Sequence, residues 1–345
     1  MYNDLVRKIS YQYELLDSSN THKAWLYNVQ SCYISYKWLS QLKVSAVFNI
    51  EDDEIIDYLN DRIKVYVTLN GVQSAVGVFM LCTPSININS RGFKSRTIEA
   101  YSLLQILVND KITTRLQLPV GTNIINEVIR QIGDYQYDIS SSDITLNTIK
   151  DYEIGTSKLE IINDLLSVIN YTSLNVSVDG KFTTHAYTLP EDRAIELTLN
   201  EGNDTIIREM TEDLDLFNAP NVFVRYTNSL EIDPPLSYTY INDSTSSIIS
   251  TVNRNGMQIV DCQEVEAANL ETLISITKKD AAEASSKYSH LTFSTIYNPL
   301  LLGNYMPCVY IDCNGIKSKY LVTTLDYNLR AGEQIKCEAR KGVNV

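Results

Sequence analysis

Few of the residues that carry most enzyme chemistry are present. Three histidines, at 22, 185 and 290, stand among 345 residues, and none has a sequence neighbour typical of a metal site or a catalytic triad. There is no glycine-rich phosphate loop and no Gly-x-Ser-x-Gly turn. Six cysteines, at 32, 82, 262, 308, 313 and 337, include no Cys-x-x-Cys pair, so buried free thiols are expected rather than zinc. Only 13 Gly and 8 Pro argue against a fibrous or disordered chain. No apolar run nears the roughly 18 residues of a membrane helix. The opening MYNDLVRKISYQYELLDSS lacks the basic-then-apolar order of a signal peptide, which predicts synthesis and first residence in the cytoplasm.

Positive charge is also scarce. Basic residues number 29 against 42 acidic, a net charge of −13. A nucleic-acid clamp needs a basic face to release counterions, so stable nucleic-acid binding is not expected. An acidic lining would instead let nucleic acid slide past without sticking. Two acidic groups, Glu51 to Glu54 and Glu212 to Asp215, read as solvated turns rather than paired glycosidase carboxylates. The reading is of a protein that is not an enzyme, with no cofactor, no metal and no membrane anchor.

What is abundant is β pattern and tyrosine, 23 residues against 7 Phe and 2 Trp. Tyrosine offers broad contact with a polar tip, as interfaces use, although an AT-rich genome also favours its codons. The length predicts two or three domains. Residues 1–107 read as β-rich. Residues 108–195 read as a small α/β domain, with one helix capped at Thr122 and stopped by Gly133. A second helix opens on the capping box Ser157-Lys-Leu-Glu160, and Asp179-Gly180 turns a hairpin. Residues 196–345 are β again, with a strand at 221–226, an excursion at about 229–265 containing Pro234-Pro235, and a long helix at about 264–288.

One phrase occurs twice. Val65 to Ser74 reads VYVTLNGVQS, and 244 positions later Val309 to Ser318 reads VYIDCNGIKS. Asn-Gly between alternating strands favours a type I′ hairpin, because both central residues take positive φ. The match continues outward: Asn60 corresponds to Asn304 at the same offset, Phe48 to Phe293 near it, and Ile98-Glu99-Ala100 to Cys337-Glu338-Ala339, given a short insertion near Asn87 to Gly92. The spacing predicts two copies of one β-barrel or sandwich around an α/β insertion. Three such chains about a threefold axis would present six similar modules.

These segments resemble a known family. The C-terminal order is a helix, then LTFSTIYNPLLLGNYMPCVYIDCNGIKSKYLVTTLDYNLRAGEQIKCEARK, which is similar to the last barrel of baseplate hub proteins. These hubs, late control protein D-like, belong to long-tailed bacteriophages and phage tail-like bacteriocins. The family's Pro-x-Leu-x-x-Gly-Asp segment before the hairpin appears as Pro299-Leu-Leu-Leu-Gly303-Asn304, with Asn in place of the acid. The central SKLEIINDLLSVINYTSLNVSVDGKFTTHAY resembles the family's middle domain. The resemblance implies an α+β, mainly β fold with two tail-tube-like β-barrels separated by the small α/β domain.

It also implies a homotrimer in a virion or tail-like particle, assembled in the host cytoplasm. The partners would be the tail tube protein, a spike or tip protein and other baseplate proteins. Any cell-wall hydrolase is expected to be a separate protein. Subunit or tube contacts are expected at Leu300, Leu301 and Leu302 and at the hairpin tips Asn70-Gly71 and Asn314-Gly315. The acidic excess is expected to face a central channel. A competing reading is a host-surface tip protein that binds cell-wall carbohydrate, where sugars would stack on exposed aromatics, with only Trp25 and Trp38 as tryptophans. A cell-wall hydrolase is a third.

Overall fold

The structure, a computed structural model, describes residues 7–51, 55–200, 206–214, 218–228, 235–245, 247–286, 289–302 and 305–342. The expectations placed on Asp52 to Glu54, Asp215, Pro234, Tyr288, Gly303 and Asn304 lie outside the described residues.

The chain is α+β and mainly β. It opens with β1 (Ile9–Leu16), β2 (His22–Leu26), β3 (Val29–Lys37), β4 (Val44–Glu51), β5 (Arg62–Leu69), β6 (Val72–Ile88) and β7 (Lys94–Ser102). Side chains alternate across a pleated strand, so one face can be apolar throughout. β4 buries Val44, Ala46, Phe48 and Ile50, and β5 buries Ile63, Val65 and Val67. At the β5–β6 turn, Asn70 has φ 50° and Gly71 φ 85°, the left-handed pair a type I′ hairpin needs.

A helical unit follows: α1 (Leu104–Asn109), β8 (Leu116–Leu118), α2 (Ile124–Ile132), β9 (Tyr137–Ile139), β10 (Lys150–Tyr152), α3 (Lys158–Val168), β11 (Asn175–Val176) and β12 (Phe182–Thr184). The cap of α2 is Asn123 rather than Thr122. The Asn123 side chain accepts the Asn126 N–H, while Thr122 Oγ1 donates to the Pro119 carbonyl. Asparagine outranks threonine at this position, which explains the one-residue difference. Ser157 caps α3 as the sequence indicates, accepting the Glu160 N–H at 3.2 Å. The apolar faces of the three helices close on Leu118, Leu146, Leu174 and Phe182, and this core reaches the first sheet at Leu16 and Val78.

The remainder comprises β13 (Leu197–Asn200), β14 (Ile206–Leu214), β15 (Val222–Tyr226), β16 (Ser237–Ile241), β17 (Val260–Glu264), α4 (Leu270–Ser286), β18 (Ser289–Thr295), β19 (Cys308–Cys313), β20 (Ile316–Asn328) and β21 (Ile335–Lys341). The strand read at 221–226 pairs with β16 and β17 in a separate three-stranded sheet, not with the large sheet. α4 packs on this small sheet. Arg225 sits between them, donating from Nε to Asp280 at 2.6 Å and from Nη2 to Asp261 at 2.8 Å.

The large sheet contains two ladders with the same strand order. The first runs β3-β4-β7-β6-β5-β1 and the second β14-β18-β21-β20-β19-β13. Four successive steps are antiparallel in both; the fifth differs, β1–β5 being antiparallel and β13–β19 parallel. Asn314 and Gly315 repeat the positive-φ turn, at 52° and 81°. Phe48 faces Ile98 across one ladder, and Phe293 faces Cys337 across the other.

A β-bulge also recurs. It falls between Leu81 and Thr83, opposite Ala100 and Glu99, and again between Val322 and Thr324, opposite Ala339 and Glu338. Bulges re-aim a strand and are specific features of a ladder, so this recurrence sets the two ladders in register with each other.

The ladders meet where the distal half of β20 pairs antiparallel with β3, Thr324 opposite Lys37 through Asn328 opposite Tyr33. Tyr33 Oη donates to Asp326 at 2.8 Å, and the hydroxyls of Tyr11 and Tyr327 lie 2.9 Å apart across the seam. One continuous apolar core, from Tyr13 and Phe48 to Phe293 and Ala339, runs under both ladders.

Candidate functional site

The residues with chemical potential are dispersed, some packed in the core and others on the surface. Among the described residues, no group of three or more His, Cys, Asp or Glu is placed to hold a metal. His22 Nδ1 lies 2.7 Å from Glu14 at the start of β2, His290 lies in β18, and surface-exposed His185 has its edge against Tyr305. Partial loss of solvent, with Arg193 nearby, pulls the His185 imidazole below its usual range. Cys32, Cys308, Cys313 and Cys337 are buried, and burial pushes the thiols of Cys32, Cys308 and Cys337 up, the opposite of a reactive thiolate. Cys262 departs from the expectation of buried thiols: it is exposed on β17. Of the acidic groups read as turns, Glu51 instead ends β4, and Glu212 and Asp213 lie on β14, where Glu212 accepts the Tyr320 hydroxyl at 3.1 Å. Many tyrosines serve the core: Tyr36 is 4% exposed and donates to the Val76 carbonyl at 2.6 Å.

A cleft of about 440 Å³ lies where the turn between β3 and β4, the helical unit and α4 meet, and its lining includes Trp38, Lys43, Ser173, Tyr187, Lys279 and Tyr305. Lys43 is 3% exposed, donates to Ser173 Oγ at 2.7 Å and to the Trp38 carbonyl at 3.2 Å, and sits over the Tyr305 ring. Burial pulls its amine down to about 8. From there to about pH 10 the unfolded chain holds this proton and the folded chain does not, so the lysine contributes stability that rises with pH. Buried thiols and tyrosines act in the opposite sense, so the test is a difference. The stability of Lys43→Met relative to wild type should fall by on the order of 2 kcal/mol between pH 7.5 and 9.5, measured by urea midpoints. A pH-independent difference would contradict this assignment.

Strand edges are among the available surfaces. β14 ends the large sheet and pairs with β18 alone among the described strands; β2 ends the other side, pairing with β1. The long β6 pairs with β5 only as far as Met80. Beyond it, Thr83–Ile88 has β7 on one side and no described strand on the other. Ile86 and Ile88 on this segment are 45% and 61% exposed.

The predicted contact residues divide. Asn298 caps a 3-10 turn at Pro299–Leu301, accepting the Leu300 N–H, and this turn sends Leu301 and Leu302 into the chain's own core, at 0% and 4% exposure. Leu300 points outward, half exposed. Asn70, Gly71, Asn314 and Gly315 are exposed at the two hairpin tips, and Asn70 exchanges hydrogen bonds with the Lys8 backbone. Trp38 is buried, which leaves Trp25 as the partly exposed tryptophan, beside His22 and Tyr66.

No family model and no curated protein matches the chain. Solved structures do. A tail protein from Neisseria meningitidis MC58 is 14% identical, with a TM-score of 0.67 over 97% of both chains. The 43 kDa tail protein of prophage MuSo2 from Shewanella oneidensis is 10% identical, with a TM-score of 0.62 over 95% of this chain and 98% of that one. Prophage tail protein gp18 from Listeria monocytogenes EGD-e is 13% identical, with a TM-score of 0.59 over 95% and 94%. At these identities the likeness is one of fold. Nearly the whole chain shares the fold of these tail proteins, in line with the resemblance drawn from the residues.

Proposed function

We propose that this chain is the structural hub of a phage tail or tail-like baseplate. Three copies form a ring in which the two ladders of each chain act as two tube-like β-barrels. The ring is sixfold-like towards the tail tube and threefold towards a spike or tip, and it nucleates tube assembly. The observation that carries this reading is the pair of ladders with one strand order, one hairpin and one bulge in a single polypeptide. A chain with two equivalent modules converts threefold chain symmetry into six similar positions, which a chain with one module cannot do. The shared fold with phage tail proteins supports the same setting.

Domain roles follow as part of the proposal. Residues 1–107 and 196–345 supply the ring, 108–195 the helical unit between them, and the excursion read at about 229–265, together with β15 and the helix α4, a separate lobe. Leu300 and the tips Asn70-Gly71 and Asn314-Gly315 are proposed contacts to a neighbouring chain or the tube. Leu301 and Leu302 support that surface from beneath. The acidic excess lines the channel, and a basic lumen in the assembled ring would contradict that part. Native mass spectrometry of the purified chain, alone and with its tube protein, should show species of three hub chains. A chain that stays monomeric in both samples would overturn the reading.

A further inference from the structure

The two ladders are equivalent, yet they are not equally complete. The distal half of β20 is covered by β3, while the corresponding half of β6, Thr83–Ile88, has no described strand on that side. The strand equivalent to β3 in the second ladder is β14, and β14 ends the sheet. Among the described strands, each ladder therefore has one half of the joint that β20 and β3 make within the chain: a strand segment paired on one side in the first, and an edge strand paired with β18 in the second. We propose that Thr83–Ile88 of one chain pairs antiparallel with β14 of a second copy. This repeats the β20–β3 joint between subunits and rests on the ring reading above.

The register follows from the shared bulge. Counting from it, Leu325 corresponds to Pro84, Asp326 to Ser85, Tyr327 to Ile86 and Asn328 to Asn87. On the other strand, Ile34 and Glu212 are equivalent, because each opposes the residue that faces the conserved-register alanine, Ala100 or Ala339. Within the chain Asp326 opposes Ser35 and Tyr327 opposes Ile34. Between chains, Ser85 then opposes the partner's Asp213, and Ile86 opposes the partner's Glu212.

The chemistry of the segment agrees. An exposed strand carrying Ile86 and Ile88, with Phe93 70% exposed at its turn, is the kind of edge that folded proteins cover. Pro84 removes one backbone donor, which shortens the usable run to Ser85–Ile88 and restrains indiscriminate strand addition. Ser85, Ile86 and Asn87 bring no charge of their own against Glu212 and Asp213, so the predicted register contains no like-charge pair. The occupant is a second copy because the complementary edge is found on this chain.

Directly opposed residues in an antiparallel pair lie about 4.5–5.5 Å apart at Cα, within disulfide range. The double variant Ser85→Cys with Asp213→Cys, both exposed positions, is oxidised as the purified assembly, and linked peptides are identified by mass spectrometry. Wild type, which has exposed Cys262, and the two single variants serve as blanks. The expected result is chain-to-chain linkage through positions 85 and 213, at least tenfold above the shifted pair Ser85→Cys with Thr211→Cys. A trimer by native mass that gives no 85–213 linkage, or links the shifted pair equally well, overturns this joint and leaves the ring reading standing. A chain that never assembles overturns both.

Discussion

Replacing Leu301 by aspartate is expected to leave no folded protein to purify. The side chain is fully buried in the core common to both ladders, held there by the 3-10 turn that Pro299 opens. Removing a buried leucine costs about 2–5 kcal/mol, and a carboxylate in that place must either stay ionised without a partner or take up a proton, a further penalty of several kcal/mol. The sum rivals the roughly 5–15 kcal/mol that holds an ordinary domain together. Leu300→Asp, one residue away and half exposed, should melt within a few degrees of wild type. Soluble yield and thermal melts check the contrast. Equal behaviour of the two variants would mean that Leu301 is not in the core. Any loss of assembly by the folded Leu300→Asp protein would then report a contact at that position.

The second large effect is at Arg225. Its guanidinium is 1% exposed and bridges three elements: β15, on which it sits; Asp280 on α4; and Asp261 on β17, whose backbone carbonyl also accepts from Nη1 at 3.1 Å. Arg225→Met would leave two partly buried carboxylates facing each other without a cation. Breaking a buried pair from one side costs about 3–5 kcal/mol. The small sheet and α4 should therefore lose their docking, seen as an early unfolding step and as raised hydrogen exchange across residues 270–286. Arg225→Lys keeps the charge but not the planar fork, and should fall between wild type and Arg225→Met. Arg225→Met with wild-type exchange in α4 would contradict this account of the lobe.

Much of this architecture is legible in the sequence wherever one residue type answers one backbone demand. Asn70-Gly71 and Asn314-Gly315 identify their hairpins because few other pairs accept positive φ twice. Ser157 identifies the start of α3 because a hydroxyl there satisfies a free N–H. Phe48 with Phe293 and Glu99-Ala100 with Glu338-Ala339 stand at matching ladder positions, so the outward extension of the repeated phrase follows real pairing.

Legibility ends where the same residues suit two environments. Glu212 and Asp213 read as a loop because charge is a loop signal, yet an edge strand also carries charge on its open side. Three consecutive leucines do not reveal whether they face their own core or a neighbour; the turn after Pro299 decides, turning Leu301 inward and Leu300 outward. The strand at 222–226 has the β pattern of the large sheet. Its assignment to the small sheet depends on Arg225 and its two distant aspartates, contacts that no local window contains.

The most direct test of the central claim is an electron-microscopy average of the assembled hub, calculated without imposed symmetry. The account predicts a ring of six similar lobes built by three chains, alternating between two slightly different shapes around a central opening. A ring with any other number of chains, or three chains contributing only three lobes, would contradict it.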